Sequence, residues 1–132
     1  TAEKIKKEIG TAIPASNNTY AVKGRDIRSG TPKEVNISEN DTAEALNPII
    51  KEIVKGIKDA LENTPPELSA DLVDMGMTLT GGGALLKNID KRFSKETGLP
   101  VNIADDPIAC VAIGTGKALE QRETFSNMLS EY

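Results

Sequence analysis

Histidine and tryptophan are absent from this 132-residue chain, and Cys110 is its single cysteine. Without histidine, neither Ser–His–Asp nor Cys–His catalysis can be assembled from these residues. One thiol supports neither a disulfide framework nor a zinc site, which suits a reducing cytoplasm. Aromatic residues are scarce as well, two Tyr and two Phe, so a core has to be built from Ile, Leu, Val, Ala and Met. No apolar run approaches membrane-spanning length. No basic face is present either: the net charge is −4 with both signs interspersed, which argues against a nucleic-acid partner. A chain of this length can still bury a core without staples. It opens at Thr1, without an initiator Met and already inside a helical pattern, and so reads as a piece of something longer.

What is there alternates between helical and extended patterns. "TAEKIKKEIG" places Ala2, Ile5 and Ile9 three and four residues apart, with Gly10 as a stop. Glu3, Lys6 and Lys7 share its polar face, which by itself reads as a solvated charged surface. After the turn-rich "TAIPASNNTY", Tyr20 and Val22 alternate in one arm and Val35 and Ile37 in another, around "RSGTPK". This predicts a half-exposed β-hairpin. Ser38 with Asp41 three residues on is a capping-box pattern. It opens a long helix striped by Leu46, Ile49, Ile50, Ile53, Val54, Ile57 and Leu61. Pro48 either kinks this helix or starts its main part.

The second half reads β-α-β-α. Thr64 is the expected cap of a short helix with Pro65 at its first position, leading through Ala70, Leu72 and Val73 to a strand at 76–80. A helix follows on Leu85, Leu86, Ile89 and Phe93, ended by Gly98 and Pro100. Val101–Ala104 reads as a buried strand. Asp106 then caps a last helix with Pro107 in its first turn, and Cys110 is expected on that helix's buried face, inert. Gly114 and Gly116 inside it cost about 1 kcal/mol each, which predicts a second backbone packed closely against them. Beyond Glu123 the tail is polar.

The densest feature is "MTLTGGGALLKNID", where Gly81, Gly82 and Gly83 stand between strand and helix. Three glycines together cost conformational entropy. Two readings stand side by side: a turn that needs positive φ or tight packing, or a backbone that must approach a ligand with no Cβ in the way. A strand–glycine–helix unit also aims N–H groups at whatever sits above it. The spacing matches neither G-x-G-x-x-G nor G-x-x-x-x-G-K-[ST]. No other constellation competes. Asp105 and Asp106 are better explained by capping than by a metal, and the acids of "SADLVD" by solvation.

Several blocks together resemble one family: "TAEKIKKEIG", "VKGRDIRSGTPK", "TPPELSADLVDMGMTLTGGGALLKNID", "ETGLPVNIADDP" and "CVAIGTGKALE" occur in the order and spacing of the C-terminal part of the bacterial actin-like MreB/Mbl family, from Thr1 to about Glu120. The glycine turn alone is weak, since FtsA, the Hsp70 chaperones and sugar kinases carry similar turns. "TPPEL" and "CVAIGTGKALE" make the combination specific. The resemblance implies an α/β fold: a partial actin-like ATPase (ribonuclease H-like) domain with a small α+β lobe. Residues 1–38 would form the small lobe, part of subdomain IIB. Residues 39–123 would be part of subdomain IIA beside the nucleotide cleft, and 124–132 a polar tail.

By the same resemblance, ATP would be the cofactor, with Mg2+ held mainly by the missing half, which also carries the phosphate loops and the water-positioning residues. Gly81, Gly82 and Gly83 would pass beneath the adenosine, with Ala84 and Leu85 starting the helix beside them. The family's E-x-x-K stretch matches Glu3, Lys4, Ile5 and Lys6. Glu3 is suited to accept hydrogen bonds from both ribose hydroxyls, and the stem of Lys6 to cover the adenine. The implied partners are further copies in a filament, the cell-wall elongation machinery, a membrane anchor protein, and the inner membrane surface through the missing half. The implied location is cytoplasmic, as membrane-associated filaments that keep a rod shape. The alternative is the nucleotide-binding half of another ATPase or kinase of the actin/Hsp70/sugar-kinase superfamily. A pure interaction module, with glycines serving only the turn, is a third reading.

Overall fold

The computed structural model describes residues 1–121; the predicted tail at 124–132 lies outside them. The chain runs through α1 (Ala2–Ile9), β1 (Thr19–Arg25), β2 (Pro32–Ser38), α2 (Glu39–Glu62), α3 (Pro66–Met75), β3 (Met77–Leu79), a 3-10 turn (Gly82–Leu85), α4 (Ile89–Thr97), β4 (Val101–Ile103) and α5 (Cys110–Glu120). The expected hairpin forms, with Tyr20 opposite Ile37 and Val22 opposite Val35. The capping box is complete: the Asp41 N–H donates to Ser38 Oγ at 3.2 Å, and the Ser38 N–H donates to Asp41 Oδ2 at 2.8 Å. Pro48 lies inside an α2 that continues on both sides of it.

β3 and β4 pair in parallel, Met77 with Val101 and Leu79 with Ile103, and α4 makes the crossover between them. Gly76 is what lets this pair close. Its φ is +71°, and a Cβ there would stand 2.3 Å from the Pro100 carbonyl oxygen, which accepts the Met77 N–H at 2.8 Å. On the sheet rests a small apolar core: Ala12, Ile50, Val54, Ile89 and Phe93 are buried, with Leu46, Ile57, Leu79, Leu86 and Val101 packed around them. Truncating Ile50 or Phe93 to Ala would cost about 2–5 kcal/mol. Arg92 fastens α4 to α2 through Asn47 Oδ1 at 3.2 Å and pairs with Glu96.

Several expectations are corrected. Thr64 does not cap α3; its hydroxyl donates back to the Ala60 carbonyl at 2.8 Å, so α3 begins one residue later, with Pro65 as N-cap and Pro66 at its first position. Ala70, Leu72 and Val73 are therefore helical. The helix expected from Leu85 starts only at Ile89, because Leu86 is extended and Asn88 is left-handed. β4 is half-exposed rather than buried, since among the described residues β3 is its one neighbour in the sheet. Asp106 Oδ1 accepts the Ala109 N–H at 3.2 Å, but it serves the turn before α5, whose first residue is Cys110. α5 has no buried residue, Cys110 is half-buried with its thiol directed to the Asp106 carbonyl, and nothing lies within 4 Å of a Cβ built on Gly114 or Gly116. The close backbone expected there is not present among the described residues.

Candidate functional site

α1, α2 and the glycine turn enclose a cavity of about 770 Å3. Each wall follows from a local sequence rule. The charged face of α1 supplies Glu3, Lys6 and Lys7, the stripe of α2 supplies Leu46, Ile49, Ile50 and Ile53, and the end of β3 supplies Leu79 and Thr80. Gly82, Gly83, Ala84 and Leu85 close the far side, with Ile108 from the loop before α5. The α2 stripe is thereby divided: Ile50 and Val54 enter the core, whereas Ile49 (57% exposed) and Ile53 (46%) are left for the cavity.

The glycines separate into two kinds. Gly81 has φ +79° and ψ 169°, a region open to glycine alone, and its N–H donates to the Pro107 carbonyl. The turn itself explains this glycine. Gly82 and Gly83 have no positive φ, and among the described residues a Cβ built on either meets no atom beyond its chain neighbours within 4 Å. Neither backbone strain nor packing among the described residues accounts for these two, and both face the cavity. The missing side chains leave a recess where a ligand can lie against backbone. A display of the α4 N-terminus to the ligand is not what the turn achieves, because α4 starts beyond Asn88.

Polar chemistry gathers at the α1 rim. Glu3 and Lys7 pair at 3.0 Å across one helical turn, and the Lys7 hydrogen bond and charge hold the Glu3 carboxyl below its ordinary value. Glu3 is therefore an anionic acceptor at neutral pH. Lys6 enters no ion pair among the described residues. A rim with Glu3, Lys6, Lys7 and Lys87 over an aliphatic floor suits a flat, weakly polar group that carries hydroxyls and negative charge. Among the described residues no three His, Cys, Asp or Glu side chains converge as metal ligands.

Of the residues singled out in the sequence, the cavity brings together Glu3, Lys6, Gly82, Gly83, Ala84 and Leu85. Lys4, Ile5 and Gly81 lie off its lining; Ile5 faces a second groove between α1, β2 and α2. Ala84 is buried, and with Leu85 it belongs to the 3-10 turn instead of starting α4. Lys7, Ile49, Ile53, Thr80, Lys87 and Ile108 were missed as lining residues. The signal for Ile49 and Ile53 was the excess width of the α2 stripe; Ile108 carried none.

The comparisons agree in one direction. A family model described as MreB/Mbl protein matches residues 1–127. The cell shape-determining protein MreB of Escherichia coli (strain K12) is 48% identical over 121 residues, 91% of this chain and 35% of that protein. Mbl of Bacillus subtilis (strain 168) is 43% identical over 124 residues, 93% of this chain and 37% of that protein. The crystal structure of MreB5 of Spiroplasma citri bound to ADP superposes with a TM-score of 0.86 at 40% identity, over 97% of this chain and 39% of that one. The same protein bound to AMPPNP also gives 0.86, over 98% of this chain. The chain spans 35–37% of the length of these curated relatives. Its α/β architecture is the matching part of the actin-like fold, and the chain belongs to the MreB/Mbl family of cell shape-determining proteins.

Proposed function

We propose that this chain supplies the adenosine-side walls of an ATP site in a longer actin-like cell-shape protein. The observation that carries the reading is the pair Gly82 and Gly83, which no strain or contact among the described residues requires to be glycine and which face the Glu3–Lys6 rim across one cavity. Backbone at Gly82 and Gly83 lets the nucleoside lie close. The Glu3 carboxylate accepts from the ribose hydroxyls, the stem of Lys6 covers the base, and Ile49 and Ile53 exclude water from beneath it. The ADP- and AMPPNP-bound states of the related MreB5 support a nucleotide as the ligand. Bound ATP, with Mg2+ held mainly outside this chain, would supply the phosphoanhydride bond and the phosphate charge.

In this reading residues 1–38 belong to the small lobe and residues 39–123 to the cleft domain. The whole protein polymerises with ATP into filaments at the cytoplasmic face of the inner membrane, works with a membrane anchor and the cell-wall elongation machinery, and hydrolyses ATP slowly. Equilibrium titration and pelleting of the full-length protein test this. Saturable ATP binding with ATP-dependent pelleting is expected. Equal pelleting without nucleotide, together with no detectable ATP binding, would overturn it.

A further inference from the structure

Two walls of the cavity come from segments far apart in the chain, α1 and the glycine turn, and one cluster joins them. The Ala12 N–H donates to the Lys87 carbonyl at 2.8 Å beside an isolated parallel bridge between Thr11 and Lys87. Thr11 is 1% exposed; its hydroxyl lies 2.6 Å from the Ile13 carbonyl and 3.2 Å from that of Lys87, so its one proton serves either. The same oxygen accepts from Asn88 Nδ2 at 3.2 Å, and Nδ2 also donates to the Ile13 carbonyl at 3.0 Å. Lys87 Nζ reaches the Glu8 carbonyl at 3.0 Å, placing a cation at the C-terminal end of α1. These bonds join the end of α1 and the residues just after it (8–13) to Lys87 and Asn88, the residues that follow the glycine turn.

Asn88 is also the one non-glycine residue with positive φ (59°) among the described residues. Asparagine tolerates that conformation, so the same residue turns the chain out of the 3-10 turn and aims its amide at Thr11. The turn therefore leaves the cavity in a direction set by what Asn88 holds.

We infer that Thr11 and Asn88 are positioning residues that clamp α1 against the glycine turn and thereby set the width of the gap in which the nucleoside lies. Neither is on the cavity lining, and each acts through the elements it fastens. The inference rests on the nucleotide reading above. Its physical content is that a buried hydroxyl and a carboxamide share one oxygen, so removal of either leaves the other short of a partner. A narrow site converts small wall displacements into lost affinity.

The test is ATP affinity of the full-length protein carrying Asn88→Gly, Thr11→Val or Thr11→Ser, with melting followed in parallel. Glycine keeps the left-handed backbone and deletes the amide, valine keeps the shape and deletes the hydroxyl, and serine retains it. Asn88→Gly and Thr11→Val should each weaken ATP about tenfold, the double variant should fall short of the product of the two, and Thr11→Ser should hold within about twofold of wild type. Wild-type affinity in both deletions overturns the clamp. So does an equal loss in Thr11→Ser and Thr11→Val, which would trace the effect to packing. Gly82→Val separates the two levels: if it binds ATP as wild type does, the nucleotide reading fails and the clamp with it. If Gly82→Val loses ATP while both deletions keep it, the clamp alone is wrong.

Discussion

Adjacent glycines in one turn should respond to substitution in opposite ways. Gly82→Val adds a side chain whose Cβ meets no atom of the described residues beyond its chain neighbours within 4 Å, at a backbone φ that is not positive, so neither strain nor a clash at Cβ opposes it. Its effect on stability should stay within about 0.5 kcal/mol, the range for surface changes away from special backbone. If a nucleoside occupies that space, the same group meets the ligand at contact distance, and forcing extra carbons into a packed contact costs about 1–3 kcal/mol. That is about 5- to 150-fold in ATP affinity, and more if the ligand cannot shift. Gly81→Ala reverses the pattern: its φ of +79° with ψ of 169° is closed to alanine, so about 1–3 kcal/mol of stability should be lost before any ligand is involved. Thermal melting and ATP titration of the two full-length variants give four numbers. A Gly82→Val protein that melts like wild type and binds ATP like wild type refutes the reasoning, because the recess would then have no occupant. A Gly82→Val protein that melts many degrees lower refutes it differently, by showing that packing in the full-length protein requires the glycine.

Glu3→Ala should weaken ATP by about 10- to 100-fold, the range for hydrogen bonds to a charged group, while melting barely moves because Glu3 is exposed and its ion pair is with the equally exposed Lys7; a large drop in melting with affinity unchanged would make Glu3 a structural residue. Glu39 is buried at the start of α2, and the Ser16 side chain, then the Ala15 and Ser16 N–H groups and the Asn18 amide, hold its carboxyl below the ordinary glutamate value against the opposing effect of burial. Its folded value being depressed, the stability it contributes is full above the ordinary carboxylate range and is lost as pH falls through the folded value. Glu39→Gln should therefore lower stability at neutral pH and flatten the acid end of the stability profile; an acid limb unchanged from wild type counts against this. Expressed alone, the 132-residue chain should self-associate, because Val73, Met75, Ile108, Val111 and Leu119 are each more than 60% exposed on α3, α5 and the loop before α5. Sedimentation at several concentrations checks it, and a monomer throughout would contradict it.

The legible parts of this fold are those fixed by short-range chemistry. The hairpin follows from Tyr20, Val22, Val35 and Ile37 alternating, and the start of α2 from one Ser–Asp pair, because each depends on residues within reach of one another. α3 was displaced by one residue because the Thr64 hydroxyl had two carbonyl-or-amide choices and took the preceding helix. The delay of α4 to Ile89 was not legible from periodicity, since Leu85, Leu86, Ile89 and Phe93 keep helical spacing whether or not the backbone between them is helical. What intervenes is Lys87, drawn into a bridge with Thr11. In the site, the two segments quoted from the sequence do face one cavity, yet nothing in "GGG" distinguishes Gly81, needed by the turn, from Gly82 and Gly83, which the turn does not need. That distinction exists only once neighbours are placed in space.

The bridge between Thr11 and Lys87 also has a kinetic side. The hydrogen bonds that join them span 76 residues, whereas the hairpin strands β1 and β2 are joined by one short turn and α2 follows directly. Hairpins close in about 1–10 μs, and the entropy cost of closure rises with the logarithm of the loop. The hairpin and α2 can thus reach native geometry while the ends that enclose the cavity are still diffusing. The two walls of the cavity therefore meet only when this long-range closure between Thr11 and Lys87 is made, and the recess at Gly82 and Gly83 depends on it.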